Sequence, residues 1–386
     1  MRVGSQRIVL SADAASVMLD SECEGVVRWT TEYLGAWWDV STTSSTAPAG
    51  APRVQAVLDR GEHDRIAGDL AQDGVPCLAF MGAAGLRRAS ADGTSVWAAI
   101  PEQGVCFQHD RSLREVRIVS GDARALRSAT TRLAREMIAL QLQARGWCLV
   151  HAAGVAKDGR AVLVLGGKGS GKTAAALTLA AALGWALLAN DRVLLRVTGT
   201  EVTVCSWPSS CRLGLGLVAA LGWGRTLRER TLADAVQVPN QPREITEAIA
   251  AGDLRPVRAA SGKELKSELM PVELAAWFGF HFQGRGRLAA LLFPRVDLDR
   301  EAAEPRTVTP GASVGHHDLD VAGKEALYPD FLDLSATLGA GRGDPDLDAL
   351  NASLAALPHV EATLGPSISS NGQALAALES RVLAPR

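Results

Sequence analysis

The stretch RAVLVLGGKGSGKT, Arg160 to Thr173, decides the fold. Arg160–Leu165 is an apolar run of strand character, and Gly166–Thr173 fits the pattern G-x-x-x-x-G-K-[ST], in which glycines let consecutive backbone N–H groups turn toward a phosphate chain. Thr173–Leu183 is rich in Ala and Leu, the best helix formers. Gly184 stops that helix, and Trp185–Asn190 returns as a buried strand ending at Asp191. Strand, glycine loop and helix therefore follow one another in the order a phosphate cradle needs. The amides of Gly167 to Thr173 are expected to form an anion-binding concavity at the positive end of the helix. Lys172 is expected to reach the β- and γ-phosphates and Thr173 to ligate Mg²⁺. Lys168 reads either as a solvated loop residue or as a second phosphate clamp. Asp191 has two readings as well: a carboxylate that holds Mg²⁺ or takes a proton from an attacking hydroxyl, or the polar corner of an Asn-Asp-Arg turn.

Working outward, Cys148–Ala156 and Arg160–Leu165 are two apolar strands joined by Lys157-Asp158-Gly159, a tight-hairpin signal. A hairpin leading into the loop differs from ordinary phosphate-loop proteins, whose sheets are built mainly from parallel crossovers. No N-K-x-D stretch reads guanine and no L-S-G-G-Q stretch marks a transporter ATPase, so the familiar GTPases and transporter modules are disfavoured.

Composition narrows the class further. The chain has 386 residues, 47% hydrophobic and 21% charged, a balance typical of folded globular proteins. A net charge of -2 provides no overall basic field for nucleic acid or an anionic membrane. The six cysteines are scattered without a C-x-x-C pair, which indicates reduced thiols rather than a zinc site or a disulfide framework. Arg2, Arg7, Asp13 and Asp20 interrupt any apolar leader core, so no secretion is expected and a cytoplasmic location is.

Two domains are expected, with a boundary between residues 115 and 116. Residues 1–115 read as an antiparallel β-rich unit of unknown role, with strands near Val54–Leu58, Val75–Met81 and Val96–Ile100 and a turn at Ala91-Asp92-Gly93-Thr94. Ser41–Pro52 is low in complexity and reads as a loop. In residues 116–386, Val116–Val119 is a strand and Asp122 opens an amphipathic helix that Gly146 ends. Arg225–Gly262 is charged and irregular, an expected surface insertion or lid. Lys263-Glu264-Leu265-Lys266 is read as solvated surface or as a substrate contact, and Gly315–Asp320, with His316 and His317, as a polar loop.

Leu149 to Val193, LVHAAGVAKDGRAVLVLGGKGSGKTAAALTLA followed by LLANDRVLL, resembles the C-terminal catalytic domain of the HPr serine kinase/phosphorylase family. Within it the stretch is similar to kinase-like members of natural-product clusters, including those that phosphorylate lasso-peptide precursors. The resemblance implies an α/β phosphate-loop core of the type shared with phosphoenolpyruvate carboxykinase, with a mixed sheet. It assigns the nucleotide to Gly166, Gly169, Gly171, Lys172 and Thr173, with Gly167, Lys168 and Ser170 completing the loop. It also implies that His151 lies near the transferred phosphate, that Asp191 is the catalytic or metal-binding carboxylate, and that Arg212, in a loosely matching Arg-Gly-rich segment, stabilises charge. Two departures count against the family's reverse, dephosphorylating reaction. Asn190-Asp191 stands where the family carries two adjacent acids, and Ser210 and Cys211 stand where it carries a glutamate.

The expected activity is an ATP- and Mg²⁺-dependent kinase acting on a hydroxyl, first a Ser or Thr of a peptide or protein. A small-molecule alcohol acceptor and a catalytically weak nucleotide-binding regulatory or scaffold module stay open, as does homo-oligomerisation. Neither nucleic acid nor membrane is expected as a partner.

Overall fold

The computed structural model describes residues 5–42, 50–233, 241–308, 329–339 and 347–382. The chain divides into two compact units, Met1–Cys148 with Asp320–Asp346, and Leu149–Leu319 with Leu347–Arg386. The expected boundary between residues 115 and 116 is thus displaced to Cys148. The reason is packing: the strand at Glu115–Ser120 lies inside the first unit's sheet, and the helix at Ala123–Gln143 packs on that sheet.

In the first unit, β1 (Gln6–Ala12), β2 (Ala15–Ser21), β3 (Asp39–Thr42), β4 (Arg53–Leu58), β5 (Val75–Leu78), β6 (Ala84–Ala89), β7 (Ser95–Ile100), β8 (Val105–Asp110) and β9 (Glu115–Ser120) form one sheet in the order β3-β1-β2-β4-β9-β8-β7-β6-β5. The sheet is mixed, not antiparallel as expected, because β4 runs parallel to both β2 and β9. Helices α1 (Glu24–Leu34), α2 (Arg60–Asp73) and α3 (Ala123–Gln143) cover it. Asp122 caps α3 as its sequence predicts, accepting from the Ala125 N–H at 2.7 Å, and Leu126, Leu133, Met137 and Ile138 are buried. Residues 329–339 belong to this unit: Phe331 packs edge-on against Phe80 and Phe107, and Asp333 pairs with Arg87 and Arg111.

The second unit holds β10 (Cys148–Val150), β11 (Ala153–Lys157), β12 (Arg160–Val164), α4 (Lys172–Leu183), β13 (Ala186–Ala189), β14 (Val193–Thr198) and β15 (Glu201–Ser206). A separate two-stranded ribbon, β16 (Cys211–Leu213) with β17 (Ser267–Leu269), follows, and β18 (Arg285–Val296), β19 (Ala303–Val308) and β20 (His359–Leu364) complete the strands. The main sheet has the order β10-β14-β15-β18-β12-β11-β13, with β20 also on β18 and β19 on β20. β12 and β20 run parallel to β18, whereas β11 with β12, β11 with β13, β14 with β15, β15 with β18 and β19 with β20 are antiparallel, so the expected mixed α/β sheet is present. The hairpin of β11 and β12 turns through Asp158 (φ 50) and Gly159 (φ 74), two left-handed residues in succession, as a tight I′-type connection requires.

The sheet order has a geometric consequence. β10 and β11 are joined by two residues and β13 and β14 by three, yet each pair lies toward opposite ends of the strand order. Only a sheet curled into a half-barrel lets such short connections span it. α5 (Leu215–Ala220), α6 (Gly224–Leu232), α7 (Arg243–Ala251) and α8 (Pro271–Phe278) follow β16. Where an irregular insertion was expected, α6 and α7 pack together and bury Leu227, Ile245 and Ile249. α9 (Leu334–Leu338) lies in the first unit, and α10 (Leu347–Ala355) and α11 (Ile368–Val382) in the second. α11 packs on α4 so closely that a Cβ on Gly372 would stand 2.9 Å from that of Ala182. Glu379 of α11 accepts from Lys157 Nζ at 2.6 Å and Trp185 Nε1 at 2.8 Å, tying the hairpin to the strand after α4. No helix among the described residues is long and apolar enough to cross a membrane. The Gly315–Asp320 loop and most of the Ser41–Pro52 loop lie outside the described residues.

Candidate functional site

The glycine loop springs from the C-terminal end of β12, where the Leu165 N–H donates to the Leu292 carbonyl of β18 at 2.9 Å. Its backbone needs glycine at two points in particular. Gly166 has φ 136, and a Cβ there would stand 2.7 Å from Ser170 Oγ. Gly171 has φ 99, and a Cβ there would stand 2.7 Å from Val296 Cγ2. Gly167, Lys168 and Gly169 are exposed at the crest of the loop, while Lys172 and Thr173 are half-buried at the start of α4. Lys172 Nζ donates to the carbonyls of Gly166 at 2.5 Å and Gly167 at 3.2 Å, so its ammonium lies against the loop. Ser170 Oγ is buried with no hydrogen-bond partner among the described residues.

His151 and Asp191 sit on the two short connections just described, Val150 to Ala153 and Ala189 to Val193. Register brings both to the loop's end of the sheet. Ala153 of β11 faces Val164 of β12, and Gly154 faces Ala189 of β13. The two side chains meet, His151 Nε2 lying 3.2 Å from Asp191 Oδ1, while the other carboxylate oxygen is 2.9 Å from Arg192 Nη1. Asp191 is 43% exposed and His151 33%, which leaves the pair open to a ligand.

Asn190 is buried, and its amide is fully engaged. Nδ2 donates to the Ser210 carbonyl at 3.1 Å, and Oδ1 accepts from Ser209 Oγ at 2.8 Å. Asn190 thus tethers the segment leading into β16. On that ribbon Arg212 lies opposite Glu268 of β17, and Arg212 Nη2 approaches Glu268 Oε2 at 3.2 Å. The other oxygen of Glu268 accepts from Ser210 Oγ. Glu268 is the residue that sequence reasoning missed: a buried carboxylate that does lie beside Arg212, delivered from a strand far along the chain. Lys266-Ser267-Glu268-Leu269 carries no alternation or motif that would point to a partner. Burial pushes the Cys211 thiol up to about 12, with the carboxylates of Asp191 and Glu268 adding to the shift against the hydrogen bond from Asn190. Both carboxylates therefore act on the same buried atom.

Asn190→Asp is expected to lower stability, because a carboxylate cannot donate to the Ser210 carbonyl and a buried charge would face it. Losing that hydrogen bond costs about 0.5–1.5 kcal/mol. Urea unfolding reads the loss, and equal or greater stability in the variant would remove the tether.

The residues present suit a nucleoside triphosphate with Mg²⁺. The loop has the glycine-dependent close approaches of a phosphate cradle, an ammonium beside it and a buried hydroxyl left over. Mg²⁺ takes one or two protein oxygens, with substrate phosphates and water supplying the rest. By their chemistry Thr173 and Asp191 would be a donor set of that kind, and the described residues hold no group of three or more His, Cys, Asp or Glu that could hold a metal ion. No protein-family model matches the chain, and no curated protein matches it. The chemistry therefore has to be read from the geometry.

Proposed function

We propose that the chain is an ATP- and Mg²⁺-dependent kinase that transfers the γ-phosphoryl group to a hydroxyl, with a Ser or Thr of a peptide or protein as the acceptor. The main support is the placement of the His151–Asp191 pair at the end of β11 and β13 next to the strand end that carries the glycine loop. A site that only held phosphate would need the loop alone. Phosphoryl transfer also needs a group that receives the acceptor's proton, and this pair is available beside the loop.

The amides of Gly167 to Thr173 and the Lys172 ammonium bind and orient the phosphates. Mg²⁺, held through Thr173 and Asp191, would neutralise charge on the β- and γ-phosphate oxygens. The acceptor oxygen bonds to the γ-phosphorus as the bridging bond to the β-phosphate breaks, and the hydroxyl proton passes to the carboxylate of Asp191 or to His151 Nε2. Arg212, 56% exposed although paired with Glu268, is free on its outer side to meet negative charge.

Incubation with γ-labelled ATP and separate pools of peptides and small alcohols tests the proposal. Label is expected on a peptide. Label on a metabolite would move the acceptor class, and tight ATP binding with no transfer to any acceptor would leave a binding module in place of an enzyme.

A further inference from the structure

The sheet order places distinct surfaces on the two sides of the glycine loop. β11 and β13, with the His151–Asp191 pair, lie on one side of β12, and β18 and then β20 lie on the other. β18 overshoots its neighbour. Val164, the last residue of β12, faces Leu292, and β18 continues to Val296. This extension is what the loop packs on: a Cβ on Gly171 would meet Val296 Cγ2 at 2.7 Å, Leu364 Cδ1 at 3.3 Å and Pro294 Cβ at 3.8 Å. Yet Val296 remains 41% exposed and Leu298, two residues on, 68% exposed. One partly exposed apolar side chain, Val296, thus stands against the last glycine of the loop, and a second, Leu298, follows two residues along the chain. The backbone that carries them is fixed, because the Asp297 N–H donates to the Leu364 carbonyl at 2.9 Å and Asp297 pairs with Arg300.

We infer that Val296 and Leu298 form the wall against which the nucleobase rests, on the assumption that the kinase reading is right. The triphosphate then lies across the end of β12 with its γ-phosphate toward His151 and Asp191 and its base toward β18. Continuity selects this occupant: Val296 lies against Gly171, the residue that precedes α4, and Leu298 follows it two residues on, so the apolar surface begins where the loop ends. Apolar contact to the flat face of a purine is blind to its edge, since removal of the face from water is nearly the same for adenine and guanine. The wall therefore contributes affinity without choosing between the two.

Calorimetric titration of the full chain with ATP, GTP and inorganic tripolyphosphate tests this. Leu298 is exposed enough for Leu298→Ala to fold, and the variant is expected to bind ATP and GTP about fivefold more weakly, as partial loss of one apolar contact implies. Tripolyphosphate, which has no base, is expected to bind wild type and variant alike. Leu298→Ser serves as a second variant with the same expected pattern. Unchanged ATP and GTP affinity in both variants would overturn the wall, and so would an equal loss for tripolyphosphate or a loss confined to one base. Wild type that binds tripolyphosphate as tightly as ATP would overturn the wall while leaving the cradle, whereas wild type that binds none of the three would overturn the kinase reading itself.

Discussion

Asp191→Asn is expected to lower turnover by ~10²–10⁴-fold, the usual contribution of a general base. At roughly 1.36 kcal/mol per decade this is about 2.7–5.4 kcal/mol of transition-state stabilisation. Asparagine keeps the size of the side chain but cannot take a proton, and it is a poorer ligand for a divalent cation. The carboxylate is partly exposed, and asparagine keeps an oxygen that can still accept from Arg192, whose side chain is only 13% exposed. The fold should therefore survive, and ATP binding should persist through the loop. Single-turnover kinetics with a calorimetric titration separate the two effects. Unchanged turnover would remove Asp191 from the mechanism.

Lys172→Ala should lose binding and transfer together. On the proposed reading, the ammonium held against the loop carbonyls is the positive charge that would meet the phosphates, and removal of one such preorganised group typically costs ~10²–10³-fold in rate. The variant keeps the helix, since alanine is a better helix former than lysine. Normal affinity and normal turnover in this variant would count against the entire assignment. The two substitutions thus differ in signature: one spares binding and the other does not.

The core of this site was legible because its signals are local. Gly166 to Thr173 announces a glycine loop between a strand and a helix, Asp158-Gly159 announces the hairpin before it, and Gly184 closes the helix after it. The meeting of His151 with Asp191 was less legible, as it depends on which strands pair and on the curl of the sheet. Glu268 was illegible. Its link to Arg212 is a cross-strand pairing between short segments separated by three helices, and a pairing of that sort leaves no periodicity. The boundary before residue 116 failed for a related reason: β9 reads as a strand, but nothing in its own residues tells which sheet it completes. The charged composition of Arg225–Gly262 masked two helices whose buried apolar residues are few, Leu227, Ile245 and Ile249, and which pack on each other.

The overshoot of β18 ties the order of assembly to the chemistry. The β11–β12 hairpin closes over two residues, whereas β18 reaches β12 only after α4 to α8 and the β16–β17 ribbon have been threaded between them. Closing so long a loop is entropically the slower event. The corner with His151 and the start of the glycine loop is thus drawn from neighbours in the chain, while the shelf under Gly171 arrives last. Nascent protein lacking β18 would have the phosphate-loop sequence without the surface on which its final glycine rests.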